Sequence, residues 1–162
     1  MAGGFPAMII LYTIIVLLFS PLVVSCQGQV SVSNNDIVVA TWNVQNLFDD
    51  IDSGNEYSEY TSSGGWNTKA YESRIKDICS VFSYGELREA KVIILNEVES
   101  DKVVQDLLSQ NSLKTRGFCY YALGKNECNS IGTAIISTFP IQEPKIHSVG
   151  EPSYNLRHVL EV

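Results

Sequence analysis

A chain of 162 residues with 11 Lys and Arg against 18 Asp and Glu is about one domain long and carries a net charge of −7. The acidic balance, with no basic run, excludes a protein that holds nucleic acid by electrostatic attraction to phosphates alone. Chemistry on phosphate esters would need a cation to supply the positive charge.

The first 25 residues contain no charged side chain, and the run from Met8 to Phe19 is apolar apart from Tyr12 and Thr13, with Pro6 and Pro21 on either side. That run is shorter than the roughly 20 residues of a membrane span and fits the apolar region of a signal peptide. Val23-Val24-Ser25-Cys26 resembles the bacterial lipobox, which implies lipid attachment at Cys26 and a polar tether over residues 26–36. No Lys or Arg precedes the apolar run, the first basic residue being Lys69. A cleaved ordinary signal and an uncleaved anchor therefore stay open beside the lipoprotein. All three export the domain, either to the cell envelope as a membrane-anchored lipoprotein or as a secreted protein.

Val38, Val39 and Ala40 read as a strand covered on both faces, yet the strand runs into Asn43, Gln45, Asn46, Asp49 and Asp50. Asn43 has two readings: it starts a turn through its side chain, or it serves a site. Asp49 to Asn67, rich in Asp, Glu, Ser and Gly, reads as a long solvated acidic loop beside the mouth of a site. Asp50, Asp52 and Gly54 imitate the start of an EF-hand loop, but Asn55 stands where its glycine belongs and Thr61 where its last acid belongs.

From Lys69 to Tyr84 the apolar residues Tyr71, Ile75, Ile78, Cys79 and Phe82 recur at helical spacing and predict one buried stripe. Lys91 to Leu95 is a near-continuous aliphatic run, a central strand buried on both sides, and it too ends in polar groups, Asn96-Glu97-Val98-Glu99. Ser100 caps a helix whose apolar face is Val103, Val104, Leu107 and Leu108. Strands follow over 118–123 and 132–137, joined by a polar turn over 124–130, and a further strand starts within 155–162. This order predicts an α/β layered domain with a mixed sheet.

The cysteines show no CxxC or Cys/His spacing suited to zinc. Cys79 falls on the helix's apolar face and reads as core. Cys119 and Cys128 can close a short loop as a disulfide in an exported domain, a pairing that spacing alone leaves open.

Ligands of α/β sheets bind outside the carboxyl ends of strands. Asn43 and Glu97 lie at two such ends separated by one helical crossover, the connection that makes neighbouring strands parallel. A carboxylate and an amide oxygen are hard donors suited to magnesium, manganese or calcium.

"ATWNVQNLFD", "VIILNEVES", "IGTAIISTFPI" and "LRHVLEV", in this order, resemble the first half of the endonuclease/exonuclease/phosphatase superfamily, which is DNase I-like, over residues 37–162. The resemblance implies part of a four-layered α/β sandwich, truncated within the sheet region, and a phosphodiesterase or endonuclease using Mg2+ or Mn2+. It implies that Asn43 orients the phosphate and the metal's water shell, that Glu97 binds the metal, and that Ile131 to Ile141 is a structural strand. Asn96 stands where the family usually has Gln. Arg157 has two readings, a substrate-binding residue or an exposed strand arginine.

The family's later motifs, a His-x-x-Ser/Lys stretch, Gly-Asp-x-Asn and Ser-Asp-His, do not occur in these residues, and neither His147 nor His158 has their context. The resemblance thus implies the N-terminal part of the domain, inactive by itself. The resemblance implies a phosphodiester substrate, possibly DNA, while lipid phosphodiesters and sugar phosphates stay open, and no protein partner is expected. The alternative is a non-catalytic surface lipoprotein that keeps the family core for binding or structure.

Overall fold

The protein's structure, a computed structural model, describes residues 36–126, 129–151 and 156–162. The expected signal segment, Cys26, most of the tether and Cys128 lie outside the described residues. Among the described residues no helix is long and apolar enough to cross a membrane.

In chain order the elements are β1 (Val38–Leu47), α1 (Thr68–Val81), β2 (Ala90–Val98), α2 (Asp101–Ser109) and a one-turn α3 (Asn111–Lys114). β3 (Tyr120–Gly124), β4 (Gly132–Ser137), β5 (Lys145–His147) and β6 (Val159–Glu161) follow. The first four strands make one sheet in the order β1-β2-β4-β3, parallel between β1 and β2 and antiparallel elsewhere. This is the mixed sheet that the element order predicts. The last strand does not join it. β6 pairs instead with β5, a short exposed strand that no apolar pattern announces.

Local chemistry explains the helix starts. Asn67 accepts the N–H of Ala70 at 3.2 Å at the head of α1, and Ser100 accepts the N–H of Val103 at 3.3 Å at the head of α2. The expected stripe of α1 is buried, none of Tyr71, Ile75, Ile78, Cys79 and Phe82 being more than 3% exposed. It meets Val103, Val104 and Leu107 of α2 over one face of the sheet, formed by Val44, Leu47, Ile93, Leu95, Val98 and Ile136. Each fully buried aliphatic side chain there contributes about 1.5–3 kcal/mol. Burial pushes the Cys79 thiol up to about 12, so it packs as an inert core residue. Cys119 is an exposed free thiol.

Arg116 ties the ends of these elements together. Its guanidinium donates to the carbonyl oxygens of Phe82 at 2.7 Å, Ala90 at 2.7 Å and Leu87 at 3.3 Å, and stacks 5.0 Å from the Phe118 ring centre. One planar cation thereby reaches three carbonyls where α1 ends and β2 begins.

Two expectations are corrected. β1 is not covered on both faces: Val39 is 54% exposed and Thr41 is also exposed. The reason is that the helices pack over one face of the sheet, while Val39 and Thr41 alternate onto the other, where Val92 and Ile94 of β2 are also only half-buried. β6 packs at the edge opposite β1, where Leu160 sits so close to Gly124 that a Cβ there would come within 2.8 Å of the leucine's own Cβ.

The acidic loop, in turn, is not simply solvated. Phe48, fully buried, lies 4.7 Å from Tyr60 and 5.3 Å from Tyr57 between ring centres, and Tyr60 lies 5.1 Å from Trp66. Trp66 also donates its indole N–H to the Asp49 carbonyl at 2.6 Å. Aromatic packing folds the loop back on the end of β1.

Candidate active site

Because β1 and β2 are parallel, their carboxyl ends share one edge of the sheet, and Asn43 stands opposite Asn96 in the register. Glu97 is the next residue. Its carboxylate receives three donors: Asn43 Nδ2 on Oε1 at 2.9 Å, Arg157 Nη2 on Oε1 at 3.1 Å and the Asn46 backbone N–H on Oε2 at 3.1 Å. The site therefore brings together Asn43, Glu97 and Arg157, the last from a segment 60 residues away.

Asn43 makes the side-chain turn and also reaches across to Glu97. Its Oδ1 accepts the N–H of Gln45 at 2.8 Å, the side-chain turn, while its Nδ2 reaches Glu97. A backbone N–H can only donate, which fixes the orientation of the amide. The oxygen expected as a metal ligand is thus engaged within β1, and Asn43 meets Glu97 as a hydrogen-bond donor. The Arg157 side chain is 54% exposed and pairs with the Glu97 carboxylate.

The hydrogen bond from Asn43 is the largest influence on Glu97, holding its carboxyl below the usual carboxylate range against the opposing effect of burial, and the Arg157 guanidinium and the Asn46 N–H act in the same direction as Asn43. Glu97 is accordingly an anion. An ionised carboxylate offers about four acceptor positions, of which three are taken, two on Oε1 and one on Oε2. By that count one position on Oε2 has no donor among the described residues, and the side chain is 16% exposed. A hard divalent cation such as Mg2+ fits this donor, because it binds through one or two carboxylates and keeps several waters. Among the described residues no group of three His, Cys, Asp or Glu side chains could hold a metal ion.

A second acidic layer supports the first. Asp49 donates its N–H to Glu99 Oε2 at 2.7 Å, accepts Ile51 N–H on Oδ1 at 2.8 Å and accepts the Ser100 hydroxyl on Oδ2 at 2.7 Å. Glu99 is 4% exposed. Burial first, then the neighbouring carboxylates of Asp49 and Glu56, raise its carboxyl to about 7, against the pull of the Asp49 N–H. Asn96, in the family's Gln position, accepts the Thr133 hydroxyl at 3.0 Å and so ties β2 to β4. His147 pairs with Glu161 at 2.6 Å and His158 with Asn126 at 2.6 Å, and neither bonds to Glu97 or Asn43.

Asn46, Asp49 and Glu99 join this network although the sequence reading gives them no role. A signal for Asn46 exists in its residue type, since Asn tolerates a left-handed backbone better than most residues. Asp49 and Glu99 resemble any other polar strand end, and nothing local marks them as buried.

A family model described as the Endonuclease/Exonuclease/phosphatase family matches residues 38–145. The match contains Asn43, Asn46 and Glu97 and ends before Arg157. No curated protein and no solved structure matches the chain.

Proposed function

The chain belongs to the endonuclease/exonuclease/phosphatase family, whose members are phosphoester hydrolases, and from that premise we propose a divalent-metal-dependent phosphodiesterase or endonuclease, exported and tethered through Cys26. The observation that carries the reading is the Glu97 carboxylate, ionised and aimed by three donors at the shared carboxyl edge of two parallel strands. Glu97 is the residue that would hold Mg2+ or Mn2+. When bound, the ion would polarise a phosphoryl oxygen and offset charge that develops during in-line attack.

The side chains around it divide the remaining work. Asn43 fixes the Glu97 rotamer through its amide, and its own place is fixed by Gln45. Arg157, half-exposed beside Glu97, is the cation that meets a substrate phosphate, where a guanidinium fork suits two oxygens. On a chain of net charge −7, this arginine and the ion supply the attraction that the overall composition denies a polyanion. The reading of Cys26 rests on the lipobox resemblance and the uncharged segment before it.

The test uses the 162-residue chain with bis(4-nitrophenyl) phosphate. Binding of the diester should require Mg2+, vanish with EDTA and weaken in both Glu97→Gln and Arg157→Ala. Equal binding in EDTA would overturn the proposal. Release of 4-nitrophenolate should be slight, because neither His147 nor His158 is hydrogen-bonded to Glu97 or Asn43 to relay a proton.

A further inference from the structure

Among the described residues, the non-glycine positions with positive φ are Gln45 at 56°, Asn46 at 59° and Glu97 at 71°, and all three fall in the candidate site. Left-handed backbone costs an L-residue energy and persists only where its surroundings over-determine it, commonly at functional sites. Here the surroundings are visible. The register of β1 on β2 passes from Asn43 opposite Asn96 to Leu47 opposite Val98, so residues 44–46 face Glu97 alone. Val44 and Leu47, both fully buried, pin the two ends of this bulge into the core. The Val44 carbonyl, turned out of the ladder, is taken by the Arg74 guanidinium of α1 at 2.7 Å.

The bulge has one product with chemical content. It turns the Asn46 N–H away from the strand ladder and onto Glu97 Oε2 at 3.1 Å, the carboxylate oxygen that has one donor among the described residues. The Glu97 backbone is itself left-handed and presents the carboxylate from the other strand.

We propose that Asn46 is a positioning residue that acts through Glu97: its left-handed backbone aims the N–H that sets the carboxylate's orientation toward a bound cation. The inference rests on the metal-binding reading of Glu97. It assigns a role to the backbone of position 46 and predicts which side chains that position accepts. Glycine, free at positive φ, preserves the geometry. A β-branched residue, which resists positive φ, swings the N–H off the carboxylate.

Two measurements test it on the 162-residue chain. In the first, Mn2+ affinity is read by calorimetry for the wild type, Asn46→Gly and Asn46→Val. Asn46→Gly should bind within about two-fold of wild type, and Asn46→Val about ten-fold more weakly, the lower end of what losing an outer-shell partner costs a metal site. Equal binding by all three, or equal weakening in both variants, would overturn the assignment. The second needs no variant at position 46 to fold and no metal. The Asn46 amide proton of the wild type should resonate downfield, as a donor to a carboxylate, and move upfield in Glu97→Ala. An unchanged resonance would end the inference whatever the metal does. A shifting resonance in a chain that ignores Mn2+ would keep the clamp and remove the metal-binding reading instead.

Discussion

Glu99→Gln separates a buried charge from a buried shape. Glutamine matches the volume of glutamate, and its amide oxygen still accepts the Asp49 N–H. The wild-type carboxyl is raised from 4.5 to about 7 in a residue that is 4% exposed. Each pH unit between the unfolded and folded values is worth about 1.4 kcal/mol, so the difference amounts to about 3 kcal/mol. The folded value lies above the unfolded one, so this stability is fully present below pH 4.5 and is lost as the pH rises through about 7. Glu56, the acidic neighbour, is held low, to about 2, and loses its own contribution only as the pH falls below 4.5, outside the window that matters. Urea unfolding in EDTA should therefore find wild type and variant close at about pH 5. At about pH 8 the variant should be more stable by about 3 kcal/mol, a large fraction of a domain's total. Parallel pH profiles for the two proteins would refute the reasoning and show that Glu99 is ionised at no cost.

Gly132→Ala should destabilise the β4 end by about 1–3 kcal/mol in urea unfolding, the usual cost of overpacking, because a Cβ there would come within 2.4 Å of the Gly124 carbonyl oxygen. Arg116→Lys should cost about 2 kcal/mol in the same assay, since an ammonium cannot serve the Phe82, Ala90 and Leu87 carbonyls from one plane. Asn43→Ala should move the Glu97 carboxyl titration, followed by carbon NMR, to higher pH, because the Asn43 amide is the largest of the influences holding it down. An unmoved titration would place that control elsewhere.

Periodicity made the helical layer legible. The stripe from Tyr71 to Phe82 and the face of Val103, Val104, Leu107 and Leu108 are helical patterns; all of these residues are buried except Leu108, which is half-buried against the core. Strand ends were legible for a different reason: an aliphatic run that stops at Asn43 or at Glu97 must find partners for its polar groups, and the partners proved to be each other. The bulge was not legible. A left-handed turn at Gln45 and Asn46 is a backbone choice enforced by Val44, Leu47 and Arg74, and hydrophobic pattern carries no trace of it. Arg157 reaches Glu97 across 60 residues, a contact that only the assembled fold can specify. In the acidic loop, composition outweighed three aromatic residues, Tyr57, Tyr60 and Trp66, whose rings hold the segment against Phe48 or one another.

The central claim is that Glu97 is the carboxylate through which this chain binds a divalent cation. Crystals grown with Mn2+ and measured at a wavelength where manganese scatters anomalously test it most directly. The account predicts an anomalous peak roughly 2.1 Å from Glu97 Oε2, the distance of a hard octahedral cation from its oxygen ligand, with the Asn43 amide and the Asn46 N–H still on the carboxylate. A peak bound elsewhere, or a Glu97 carboxylate that keeps all three of its protein donors and no metal at saturating Mn2+, would contradict it.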